Sequence, residues 1–209
     1  MSEPSLRRYT NLPATLHILK NSCLTLLSPS SWDDRNDAFF MAKFKTKRAV
    51  KSVLALCFVE TSEAYHHWRV FSAGSGGVCL EFDKAKLQNE AEQDSRFTCK
   101  SVEYKKIELA EDERLTEDEL PFVKRYPYKD EKEFRILFVD NNEIKEFEEL
   151  AISLDWIKHI ILSPWMPKSL VDAVKSTLKG INGCDKLKVY RSTLIDNERW
   201  KSLANSNLK

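Results

Sequence analysis

The stretch Tyr128-Lys-Asp-Glu-Lys-Glu-Phe-Arg-Ile-Leu-Phe-Val-Asp140 decides how the rest of the chain reads. From Phe134 it has the length and apolar content of a short buried β-strand, stopped by the turn signal Asp140-Asn141-Asn142. Side chains alternate across a strand. Phe134, Ile136 and Phe138 therefore face a core, and Glu131, Glu133 and Arg135 share the opposite face. Two carboxylates and a guanidinium then converge where the strand leaves the charged segment before it. In such a group one carboxylate can hold the cation while the second acts on a substrate. The plain alternative is a half-exposed strand face on which Arg135 pairs with its neighbours.

Two more apolar runs, 52–59 and 78–82, have the same character and are expected beside 134–139 in one sheet. Phe71-Ser-Ala-Gly-Ser-Gly-Gly77 comes directly before the second run and holds three of the five glycines. Glycines followed by a strand are in the wrong order for a phosphate-binding loop, which needs strand, glycines, then helix. A Rossmann or Walker reading is rejected. Strands are also expected at 23–27, 97–104, 156–162 and 186–191, and helices at 13–21, from Asp33 or Asp34 toward Arg48, and at 167–178. The tail from Asn197 reads as polar, fraying after Trp200. Strands and helices do not alternate strictly. The expected fold is therefore α+β: a single domain, 1–209, with a mixed, mostly antiparallel central sheet flanked by helices. A charged insertion or lid is expected around 84–120, with an acidic helical stretch after Ile107.

The loop Trp32-Asp-Asp-Arg-Asn-Asp-Ala-Phe-Phe40 sets three aspartates, an arginine and an asparagine between large aromatics. It reads either as a pocket wall carrying Asp33 and Asp37, or as a capped helix start. Trp32 is expected to pack with Phe39 or Phe40 beneath it. His66 and His67 are adjacent and do not share a helix face, so no metal site is expected.

The 33 basic and 32 acidic residues balance to +1, so there is no global electrostatic case for a nucleic-acid binder. No apolar run approaches the ~20 residues of a membrane-spanning helix, and the first residues lack a signal-peptide apolar region. Five scattered cysteines without a CxxC pair argue against a zinc or disulfide framework, Cys57 and Cys79 in apolar runs read as buried thiols, and a reducing, cytoplasmic location is expected.

Several segments together resemble a bacterial family known only as a domain of unknown function and often found near phage-defence and mobile genes. They are Arg8-Tyr9, Leu19-Lys-Asn-Ser-Cys-Leu24, Ser28-Pro-Ser-Ser-Trp-Asp-Asp-Arg-Asn-Asp37, Cys57-Phe58, Trp68 with the glycines through Asp83, and the Glu131-to-Ile136 signature. Asp34-Arg35-Asn36-Asp37 departs from that family's asparagine-aspartate-proline core. The layout is also similar to the ADP-ribosyltransferase fold, in which a basic-aromatic pair opens the site and a glutamate-x-glutamate pair closes it. That resemblance implies NAD as a substrate held by Arg8, with Tyr9, Trp32 or Trp68 stacking on nicotinamide. It further implies Glu133 stabilising the oxocarbenium-like transition state and Glu131 positioning the nucleophile. The expected partners are a small-molecule nucleotide and a nucleic-acid or protein acceptor, in a defence or toxin effector. Two alternatives stand beside it. One is a non-catalytic ligand- or protein-binding module of a bacterial conflict system. The other is a magnesium nuclease built on Asp33, Asp34, Asp37 and Glu133.

Overall fold

A computed structural model describes residues 4–108 and 114–206. In chain order it runs β1 (Ser5–Asn11), α1 (Leu12–Asn21), β2 (Cys23–Leu27), α2 (Arg35–Lys47), β3 (Ser52–Val59), α3 (Tyr65–Phe71), β4 (Gly77–Asp83), α4 (Lys84–Ala91), β5 (Phe97–Ser101), β6 (Glu103–Lys105), β7 (Val123–Arg125), β8 (Glu133–Asp140), β9 (Phe147–Ala151), β10 (Ile157–Leu162), α5 (Lys168–Lys179), β11 (Val189–Arg191) and α6 (Glu198–Ser206). These elements divide into two compact units, each assembled from separated pieces of chain. The pairing is mostly antiparallel, with helices against the strands. β6 with β7 and β10 with β11 run parallel.

Unit one holds Met1–Arg8, Ser22–Thr61 and Phe82–Trp156. Its centre is β3, paired with β8 along its whole length from Ser52↔Asp140 to Val59↔Glu133. β5 continues the sheet beyond β8, from Phe97↔Phe138 to Ser101↔Phe134. β3 also meets β2 at Ala55 and the start of β1 at Val59, and β9 lies outside β2. The alternation read from β8 holds. Phe134, Ile136 and Phe138 are buried with Leu54, Leu56 and Phe58. The opposite face carries Val53, Ala55 and Leu137 against Met41 and Phe44 of α2 and Phe122.

Unit two holds Tyr9–Asn21, Ser62–Glu81 and Ile157–Lys209. Within it β10, α5 and β11 form a parallel strand–helix–strand unit, with β4 on the far side of β10. α5 buries Val171 and Leu178. In the glycine loop, Gly74 sits at φ 55°, a left-handed backbone that glycine takes without strain. A Cβ on Gly77 would fall 2.7 Å from the Ser72 hydroxyl, so this close approach also requires glycine.

Arg7-Arg8-Tyr9-Thr10 lies within β1, directly before α1. The acidic segment near 144–147 leads into β9, a short charged strand of the kind that tolerates a sheet edge. The tail is helical from Glu198 to Ser206. The acidic stretch expected after Ile107 falls largely on 109–113, outside the described residues.

Candidate functional site

The first turn of α2 begins with Asp34, whose side chain accepts the N–H groups of Asn36 and Asp37. This cap fixes the helix start. Asp37, Met41 and Phe44 then line one buried stripe at helical spacing. A carboxylate thus stands where a core residue would, facing the side of the sheet that carries Arg135.

Arg135 is fully buried, and all five of its N–H donors are used. Nε and Nη2 hold the two oxygens of Glu133 at 2.7 and 3.0 Å. Nη1 and Nη2 hold those of Asp37 at 2.9 and 2.5 Å, and Nη1 also reaches the Pro121 carbonyl at 2.7 Å. Trp32 roofs the guanidinium, its ring centroid 4.9 Å away. Lys124 adds a second cation, 2.6 Å from Glu131, 3.3 Å from Glu133 and 3.6 Å from Asp37. The Tyr104 hydroxyl accepts the Glu133 N–H at 2.8 Å.

These contacts fix the charge states. Burial alone would raise the Glu133 carboxyl, but Arg135 and then Lys124 prevail and hold it at about 2. Burial raises Asp37 against the pull of Arg135, and raises Glu131 against the pull of Lys124. Lys124 is held above its ordinary range because Glu133, Glu131 and Asp37 outweigh its burial. Cys57, opposite Arg135 on β3, is pushed well up by burial and remains a thiol.

Beside this network opens a cavity of about 310 Å³. Phe40, Ile107, Leu115 and Val123 form its apolar wall, and Lys105, Lys124 and Arg125 bring cations from β6 and β7. Asp34, Asn36 and Asp37 at the start of α2 complete it. The exposed Arg125 makes no ion pair among the described residues.

The residues singled out in the sequence are thus partly gathered. Glu131, Glu133, Arg135, Asp37 and Trp32 converge in unit one. Glu131, however, is not on the strand. It ends the 3₁₀ segment Tyr126–Glu131, which Lys132 caps at φ 46°, and β8 begins at Glu133. Arg8, half-buried, donates Nη1 to the Cys57 carbonyl at 2.9 Å and lies in the field of Glu133. Asp33 is exposed outside the network. Tyr9 and Trp68 belong to unit two, where their rings meet edge to face at 5.1 Å. Trp68 has no exposed surface, and its Nε1 donates to Glu63 at 2.7 Å. Phe39 is exposed beneath Lys43 instead of packing under the loop. Lys124, Tyr104 and the cavity wall were missed. The basic, aromatic segment from Pro121 to Tyr128 was the signal for Lys124 and Val123, and Tyr104 had none.

Comparison with known proteins adds one finding. Residues 67–136 match the model of a family described as a protein of unknown function, DUF2971. The match bears out the expected resemblance to a domain-of-unknown-function family over these residues. The matched segment runs from His67 into the first half of β8 at Ile136, taking in Trp68, the glycine loop, Lys124 and the Glu131–Arg135 signature. No curated protein and no solved structure matches the chain. Among the described residues no helix is long and apolar enough to cross a membrane.

Proposed function

We propose that this chain is a ligand-binding module whose unit-one cavity takes a small nucleotide-like molecule, a flat apolar group joined to an anion. The supporting observation is the lining of that cavity. Apolar Phe40, Ile107, Leu115 and Val123 face the stems and charges of Lys105, Lys124 and Arg125. Its volume lies at the lower end of the roughly 300–1,000 Å³ usual for small-molecule sites. The ion network behind it has every guanidinium donor satisfied. Such a network holds a wall in place, which is what a preformed site needs.

Catalysis by an NAD-using transferase or glycohydrolase is the second reading, and the proximity of Arg8 to Glu133 favours it. In that reading Glu133 must reach a ribose, yet both its oxygens are held by Arg135 and one also by Lys124. The residues as placed do not fit NAD without that clamp opening. A magnesium nuclease fits less well, because Asp37 and Glu133 grip a guanidinium where a metal would sit.

Thermal unfolding with AMP, ADP-ribose, NAD and nicotinamide separates the readings. Ligand at 100 times its Kd stabilises by about 2.7 kcal/mol, which raises Tm by roughly 2–4 °C per kcal/mol for a chain of this size. Binding by AMP or ADP-ribose that is lost in Arg125→Glu supports the module. No shift with any of the four overturns it. Release of nicotinamide that disappears in Glu133→Gln replaces it with the enzyme.

A further inference from the structure

Asp34 uses only one oxygen of its carboxylate. Oδ1 takes three donors: the Asn36 N–H at 3.0 Å, the Asn36 side-chain amide at 3.1 Å and the Asp37 N–H at 3.4 Å. Oδ2 is sealed from solvent and accepts no hydrogen bond among the described residues. A buried acceptor without a donor has lost its hydration and gained nothing in return. Native proteins keep few such groups, and each requires a partner from somewhere.

The place of this carboxylate says what the partner is. Asp34 is half-buried and lines the unit-one cavity beside Asn36, Asp37 and Phe40. The three donors on Oδ1 pin it at the start of α2, so Oδ2 cannot turn to another group of the chain without giving up the cap. The cavity is acidic where α2 begins and basic where β6 and β7 run, with Lys105 and Arg125 at the same register on the two strands. A molecule that fits this polarity carries N–H donors at one end and an anion at the other.

We infer that Asp34 sets the specificity of the cavity, its Oδ2 accepting a hydrogen bond from an amino group on the ligand's flat ring. The inference rests on the ligand-binding reading and narrows its substrate class to nucleotides whose base carries an exocyclic amine. A ring with only a hydrogen at that position leaves Oδ2 unpaired. A ring with a carbonyl oxygen there sets two acceptors against each other, which discriminates more strongly still.

The test is calorimetric titration of the full chain with two pairs of 5′-monophosphates, each pair differing by one amino group: AMP against purine riboside monophosphate, and GMP against IMP. Wild type is expected to bind the amino member of at least one pair about tenfold more tightly or better, and the pair that responds tells which edge of the ring meets Asp34. Asp34→Asn keeps an oxygen for the cap and puts an NH₂ in place of Oδ2. That variant is expected to hold the wild-type urea midpoint, to bind the amino-free members as wild type does, and to lose the preference. Asp33→Asn makes the same charge change on an exposed neighbour outside the cavity lining, and is expected to retain the preference. Equal binding within both pairs by wild type overturns the inference. So does a preference that survives Asp34→Asn, or one that Asp33→Asn removes equally. Each of these leaves the ligand-binding reading standing. Binding by none of the four removes that reading, and this inference with it.

Discussion

Arg135 shows how one residue can commit a site. Its burial is tolerable only because five acceptors meet its five donors, so removing it strands Asp37 and Glu133 without a cation. Arg135→Met is expected to cost about 3–5 kcal/mol, read from the urea midpoint. The exposed Arg48–Asp118 pair makes the contrast. Asp118→Asn is expected to leave the midpoint within experimental scatter, and wholly so in high salt. Acid should act through Glu133. Its folded pKa lies below its ordinary 4.5, so its contribution is complete above that value and is lost as pH falls toward about 2. Glu133→Gln should therefore flatten the fall in stability between about 4.5 and 2. Asp37 and Glu131, raised by burial, shift the other way and cannot supply that fall. A fall as steep in Glu133→Gln as in wild type would contradict the assignment.

At the scale of elements, the start of α2 and the start of β8 each depend on one backbone detail. Asp34 caps α2, and Asp34→Ala is expected to lower stability by about 1 kcal/mol while Asp34→Asn holds it, in parallel denaturant titrations. The same cap aims Asp37 at Arg135, so Asp34→Ala should also weaken any ligand of the neighbouring cavity. Before β8, Lys132 takes a left-handed backbone at φ 46° that turns Glu131 off the strand and onto Lys124. A non-glycine residue there carries strain of about 1–2 kcal/mol. Lys132→Gly should hold or raise the unfolding midpoint, and Lys132→Val should lower it by about 1 kcal/mol or more. Equal stability of the two variants would mean that the turn carries no strain.

For the whole molecule, charge is abundant but nearly cancelled. Charged residues make up 31% of the chain and leave a net +1, with an isoelectric point near 7.6. Copies therefore repel least just above neutral pH, and turbidity of concentrated protein should peak near that pH and fall on either side. A peak displaced by more than about one unit would show that bound ions or masked charges dominate the surface.

The sequence by itself determined which segments form core strands, because continuous apolar runs such as 52–59 and 134–139 are too costly to leave in water and too short for buried helices. It also determined that Glu133 and Arg135 share a face, since alternation along a strand is local geometry. Local geometry could not show what waits on the other side of that face. Asp37 and Lys124 reach Arg135 and Glu133 from 98 and 9 residues away, and no period in the chain encodes that meeting. The turn at Lys132 and the burial of Trp68 were likewise hidden. One depends on a backbone angle, and the other on the Glu63 carboxylate, which Ser192 also reaches across the chain. Tertiary structure alone turned an acid-rich strand opening into a clamped, fully satisfied ion network. Burying an arginine requires all its donors to be met at once, and only packing brings the acceptors together.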